Sequence, residues 1–204
     1  DLRVLFAEAR LVESAGLGGT LDARGTIRGG LPGLGASEEG DRGLTRGADT
    51  DPQFVSAGVD LGWSRALGES LSLGARVQAQ ASSGNLPSFE TFSLGNYTIG
   101  RGFEPGTVSG DHGVAGSLEL SRALDIAALP AAVTAPSVFG FVESGRVWSE
   151  GPVDSLGLTS IGAGARWQLL DRVDVEAFVA VPVQSSDGVE DDDVQGLFRV
   201  TTFF

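Results

Sequence analysis

Two charged residues, each set among glycines, stand out from an otherwise repetitive sequence. Arg101 lies in Gly100-Arg101-Gly102-Phe103, and Glu143 lies in Phe141-Val142-Glu143-Ser144-Gly145. A planar guanidinium engages a carboxylate through two parallel hydrogen bonds, fixing direction as well as distance. Neither charge tolerates burial without a partner. Gly102 and Gly145 leave room for another segment to come close. The chemistry these residues offer is ionic fastening, not bond-making. His112 is the single histidine, so a Ser–His–acid triad would have to use it, and no Gly-x-Ser-x-Gly elbow exists. The acidic run Glu190 to Asp193 could offer oxygen ligands to calcium, but it lacks the spaced pattern of a calcium loop and reads as a solvated surface loop. Gly30-Leu31-Pro32-Gly33-Leu34-Gly35 lacks the Lys-Ser/Thr ending of a phosphate loop and the spacing of a dinucleotide fingerprint. The reading is therefore a protein that is not an enzyme, with no cofactor and no metal.

The elements that must position these charges follow from period-two alternation. Ile161, Ala163, Ala165, Trp167 and Leu169 fall on one face of a strand, and Gly162, Gly164, Arg166 and Gln168 on the other. Val173, Val175, Ala177, Val179, Val181 and Val183 repeat the pattern against Asp174, Glu176, Phe178, Ala180 and Pro182. Leu170-Asp171-Arg172 makes a tight connection between the two. Val55 to Ser64 and Leu71 to Ala81 form a similar pair around Leu67-Gly68-Glu69. Further strands are expected over Arg3 to Glu13, Thr20 to Gly30, Val114 to Arg122, Val138 to Trp148 and Val194 to Phe204. The sum is about nine strands of roughly 10–13 residues, near the 9–11 that a tilted membrane-crossing strand requires and about twice the usual soluble length.

Such strands, apolar along one whole side, need something apolar and tall to face. A bilayer supplies it, and a sheet facing lipid must close to hide its edges. Connection lengths alternate as in outer-membrane barrels. Short turns fall near 67–69 and 170–172, and longer polar loops run over 31–52, 82–112, 149–155 and 184–193. The connection from 123 to 136 is read as able to hold one helical turn. Phe198, Val200, Thr202 and Phe204 share a face, and Phe204 is the final residue. An alternating last strand with a terminal aromatic resembles the assembly signal of bacterial outer-membrane proteins.

Composition agrees. The 204 residues carry 14 basic and 27 acidic side chains, a net charge of −13, and every basic residue is arginine. Nucleic acid is an unsuitable partner for such a chain, because neutralising phosphates needs a basic face. There is no cysteine, so no disulfide scaffold or cysteine-ligated metal is possible. No uninterrupted apolar stretch is long enough for a transmembrane helix. The chain lacks methionine and shows no signal peptide, and it reads as a mature or truncated product.

The run from Phe92 to Arg122, FSLGNYTIGRGFEPGTVSGDHGVAGSLELSR, resembles the long loop and following strand of the POTRA-barrel outer-membrane superfamily. That superfamily is marked by a (Val/Ile)-Arg-Gly-(Phe/Tyr) loop tip and a Phe-x-Asp-x-Gly strand. Here the tip is Gly100-Arg101-Gly102-Phe103, with Ile99 beside a glycine in the aliphatic position, and the strand carries Glu143 for the aspartate. Ser109-Gly110-Asp111-His112-Gly113 is more similar to two-partner-secretion transporters of the haemolysin secretion/activation type than to the insertases. The resemblance implies an all-β fold: an antiparallel transmembrane β-barrel in the bacterial outer membrane, residues 1–204 being about nine C-terminal strands of a sixteen-stranded barrel with POTRA domains upstream. It implies an Arg101–Glu143 contact inside the lumen, with Glu119 as a lumen-facing acid. Glu119, Arg76, Arg166 and Glu176 read as general lumen charges that tune the pore without a single role. The partners implied are membrane lipid, an exported protein substrate and the outer-membrane assembly machinery. An insertase of the same superfamily, a passive porin and a soluble all-β adhesin remain as alternatives.

Overall fold

Each alternating run becomes a strand because one of its sides is apolar enough to leave water and the other polar enough to stay in it. The computed structural model describes residues 2–14, 16–33, 35–36, 50–96, 98–149, 155–187, 189 and 194–203. Among them, β1 (Val4–Ser14), β2 (Thr20–Gly30), β3 (Val55–Ala66), β4 (Leu71–Ser82), β5 (Phe92–Leu94), β6 (Val108–Gly110), β7 (His112–Ala123), β8 (Val133–Trp148), β9 (Leu156–Leu169), β10 (Val173–Ser185) and β11 (Gln195–Thr202) are extended. Nine of them form one sheet in the order β1-β2-β3-β4-β7-β8-β9-β10-β11, with every neighbouring pair antiparallel. The fold is the expected antiparallel barrel sheet.

Register places the apolar rows on a common outer surface. Leu118 lies opposite Val142, Val142 opposite Ile161, and Ile161 opposite Val181. All four are exposed, by 53, 42, 45 and 36%. Large apolar side chains in lateral register across four strands make a continuous greasy band of a kind water-soluble monomers avoid. Opposite parity gives the concave face, carrying Asp60, Arg76, Ser117, Glu119, Glu143, Arg166 and Glu176. Short turns gather at one rim and long connections at the other. Trp63 and Trp167 end outward rows near the short-turn rim, and Trp148 ends one at the rim of long connections, the places where barrel aromatics meet the headgroups.

The turns have local causes. Leu170 and Asp171 both take left-handed backbone, φ 54° and 55°, as in a two-residue turn whose twist matches the flanking strands. The segment from 123 to 136 differs from expectation. It holds turns and no helix, and β8 begins at Val133. The β8–β9 ladder shifts between Thr134 and Ser137, where Ala135 has φ 48° and Pro136 has no N–H to give. That bulge lets the strand continue through a proline that would otherwise end it. β9 also starts five residues earlier than its alternation suggests, because Leu156 and Leu158 put apolar residues on the side that further along carries Gly162, Gly164 and Arg166, with Gly157 and Thr159 opposite. The segment between β4 and β7, expected as one polar loop, carries a 3-10 turn (Ser88–Glu90) and the paired strands β5 and β6.

Candidate functional site: an arginine-bearing loop on the concave face

Residues 83–96 and 98–111 turn inward from the rim of long connections and lie against the concave face. β5 and β6 pair as a short hairpin, Phe92 opposite Gly110 and Leu94 opposite Val108. The turn between them is held by its own backbone. Gly95 N–H donates to Ile99 O at 3.0 Å, Thr98 N–H to Gly95 O at 2.9 Å, and Phe103 N–H to Gly100 O at 3.0 Å. Gly100 has φ 113°, a conformation closed to residues bearing a Cβ. This explains why glycine stands where the related motif has an aliphatic residue, with Ile99 supplying the apolar side chain next door.

Apolar packing seats the hairpin. Leu94, Ile99, Phe103 and Val108 are 0–2% exposed and meet Ala115 of β7, Val147 of β8 and Leu158 of β9. Burying four such side chains contributes about 6–12 kcal/mol as an upper figure. The wall admits them only where it lacks side chains. A Cβ on Gly145 would lie 2.7 Å from Leu94 Cδ1, and one on Gly102 would lie 2.7 Å from Ser160 Cβ and 2.8 Å from the Val181 carbonyl. Phe103 is thus a plug in this small core, while Gly102 lets the loop backbone approach β9 and β10 and Gly145 lets β8 admit Leu94.

Within this seat Arg101 reaches Glu143. Glu143 is 3% exposed, and its two oxygens divide the work. Oε1 accepts from Arg101 Nε at 2.8 Å and lies 2.8 Å from Arg101 Nη2. Oε2 accepts from the backbone N–H groups of Gly100 and Arg101, each at 2.8 Å. The expected pair of parallel bonds is therefore replaced. The longer Glu arm brings one oxygen to the loop backbone and leaves the other for the guanidinium. Phe141 lies beneath, with the guanidinium carbon 3.4 Å from its ring centroid, and Phe178 flanks it at 5.4 Å. Both stabilise a cation held away from water.

Glu119 does not stand alone as a general lumen charge. It lies 3.5 Å from Arg101 and takes two bonds from Arg166, at 2.6 and 3.0 Å. Arg166 also donates to Glu176 at 2.5 Å and stacks on Phe139 at 3.7 Å. Arg199 donates to the other Glu176 oxygen at 2.8 Å. Glu143, Arg101, Glu119, Arg166, Glu176 and Arg199 thus alternate in sign from β8 through the loop to β11. Sequence reasoning placed several of these on the inward face but missed their connection. The signal was present in part: the tight turn at 170–171 fixes Arg166 directly opposite Glu176. Alternation put Phe178 on the face of Asp174 and Glu176, but did not mark it or Phe139 as the aromatic floor beneath the arginines. Arg76, also read as a general lumen charge, pairs with Asp60 and lines the same cavity as Arg101, Glu119 and Arg166. Phe198 faces outward at 66% exposure opposite Ala177. Phe204 and the acidic run 190–193 lie outside the described residues.

A long-stranded sheet with an exposed apolar exterior, a polar concave face and a loop fastened to that face is the architecture of an outer-membrane β-barrel. Residues 3–167 match the family model for the haemolysin secretion/activation protein ShlB/FhaC/HecB, and the chain belongs to that family. Among solved structures it is similar to CdiB from Escherichia coli, at 23% identity and a TM-score of 0.79, over 98% of this chain and 36% of that one. It is also similar to CdiB from Acinetobacter baumannii, at 19% identity and a TM-score of 0.66, over 97% and 32%. The chain thus spans about a third of the length of either structure. Comparison with curated protein sequences yields no match.

Proposed function

We propose that this chain forms part of an outer-membrane pore that exports a partner protein in two-partner secretion. Family membership supports the class of transporter. The observation that carries the reading further is the Arg101–Glu143 seat, a buried ion pair spent on holding a loop inside the concave face. Removing one partner of such a buried pair costs about 3–5 kcal/mol, so the loop is firmly fastened. An open cavity of about 830 Å³ borders the loop tip, lined by Thr98, Arg101, Glu119, Asp22, Arg76 and Arg199 among others. It offers a moving polypeptide both donors and acceptors, and no covalent step is required. The loop shapes that passage, with its apolar side on β7, β8 and β9 and its polar tip toward the cavity.

The test is secretion by the full-length protein. Arg101→Ala and Glu143→Ala should each cut release of the partner protein, while the barrel still reaches the outer membrane and keeps its heat-modifiable migration. Normal secretion by both variants would remove the seat from the mechanism.

A further inference from the structure

The loop touches the wall at a second ionic point, remote from the first in sequence and in the sheet. Arg28 of β2 donates to Glu90 through Nε at 2.6 Å and Nη2 at 2.8 Å, one bond to each carboxylate oxygen. The Glu90 side chain is 5% exposed and Arg28 is 39% exposed. This is the parallel two-bond geometry that Arg101 does not adopt. Three strands, β3, β4 and β7, separate β2 from β8 in the sheet. The polarity is reversed as well. At the tip the loop supplies the cation and the wall the carboxylate, whereas here the wall supplies the cation.

Glu90 ends the lead-in of the loop, residues 83–91, which crosses the concave face near the rim of long connections. Other bonds lay that segment down. Gln80 of β4 donates to the Glu90 carbonyl at 2.9 Å, Leu86 N–H donates to Asp111 Oδ1 at 2.7 Å, and Asp51 N–H donates to the Asn85 carbonyl at 2.9 Å. Leu86 and Phe54 are fully buried. None of these contacts involves Arg101, Glu143 or the apolar seat of the tip.

We infer that Arg28 and Glu90 form a second anchoring site for the inward loop, and that the lead-in and the tip loosen independently. Arg28 is a positioning residue: it holds residues 83–91 across the β2–β4 side, while Glu143 holds residues 95–103 against β7–β9. On the export reading, the lead-in is the part a chain leaving at that rim must pass.

Hydrogen–deuterium exchange on the full-length protein in membrane-mimicking discs tests this, since local opening is read peptide by peptide. Arg28→Gln and Glu90→Gln should each speed exchange in residues 83–91 by about tenfold, the factor expected for losing one charge-assisted pair, and leave residues 95–103 unchanged. Arg101→Gln should do the converse. Arg28→Glu combined with Glu90→Arg should restore protection of 83–91, which a purely steric role for either side chain would not allow. Unchanged exchange in 83–91, equal loosening of both segments, or failure of the reversed pair to restore protection would each overturn the inference. Secretion measured alongside keeps the two ideas apart. A wild-type protein that secretes nothing would sink the export reading and leave the exchange result standing.

Discussion

Replacing Glu143 with glutamine keeps the side chain's shape and removes what the seat depends on. The carboxylate accepts at both oxygens, two contacts from the guanidinium and two from the backbone amides of Gly100 and Arg101. A glutamine offers one acceptor oxygen and turns an NH₂ toward either the guanidinium or the amides. Either orientation sets donor against donor in a position that is 3% exposed. With the NH₂ turned to the guanidinium, Arg101 retains only Glu119, at 3.5 Å, and the aromatic faces; with it turned to the amides, the loop backbone loses its acceptor. Leaving one partner of a buried pair uncompensated costs about 3–5 kcal/mol. The apolar seat contributes about 6–12 kcal/mol on its own, so the tip should loosen without leaving the lumen. A loss of about 3 kcal/mol corresponds to a hundredfold or greater rise in local opening. A cysteine replacing Val108, buried in the seat at 2% exposure, in the full-length protein, reports this through the rate of modification by a membrane-impermeant maleimide. The expected result is a labelling rate raised by about two orders of magnitude, with barrel migration unchanged. Labelling at the wild-type rate would show that the carboxylate does not hold the tip. Loss of the barrel band would show that it holds the wall instead.

Two further outcomes follow from the same geometry. Arg101→Lys should behave like Arg101→Ala in secretion, because an ammonium can neither lie flat on Phe141 nor present paired N–H groups to Oε1; wild-type export by the lysine variant would mean that charge alone suffices. Gly145→Val should lower export strongly, since even its Cβ would overlap Leu94, and adding Leu94→Ala should recover part of the loss; no recovery would place the effect of Gly145 in the strand instead of the loop seat.

The fold was legible because alternation is dense. Nine runs of about nine to eleven residues kept one side largely apolar, and each became a strand of the nine-stranded sheet. Legibility failed where period two breaks for a backbone reason. Pro136 hides the first turn of β8 in what looks like a connection, and the mixed start of β9 conceals five paired residues. The 83–111 segment was recognised as a loop carrying Arg101, but β5 and β6 are three residues each, too short for alternation to register. The charges at the tip could be named from their neighbours in sequence. Their partners could not, apart from Glu143, because partnership here crosses strands far apart in the chain: Glu90 meets Arg28 62 positions away and Arg166 meets Glu119 47 positions away.

Those cross-strand partnerships bear on what the wall presents to a passing chain. The ion pairs described for the concave face join seven arginines (10, 24, 28, 76, 101, 166 and 199) to seven carboxylates (Glu8, Asp22, Asp60, Glu90, Glu119, Glu143 and Glu176). The chain as a whole has 14 arginines and 27 acids, so its entire excess of negative charge lies off this network. Paired charges of opposite sign a few ångströms apart largely cancel beyond the screening length of about 8 Å at physiological salt. Over short range each pair still offers hydrogen-bond donors and acceptors. On the export reading, this part of the wall would not select cargo by the sign of its charge, yet it could replace water around an extended backbone. If the pore passes a polypeptide of mixed sequence, as proposed, balanced pairing serves better than a single-sign lining. It also explains why the seat of Arg101 belongs to a longer alternating series: within a nearly neutral wall, each added arginine needs its own carboxylate.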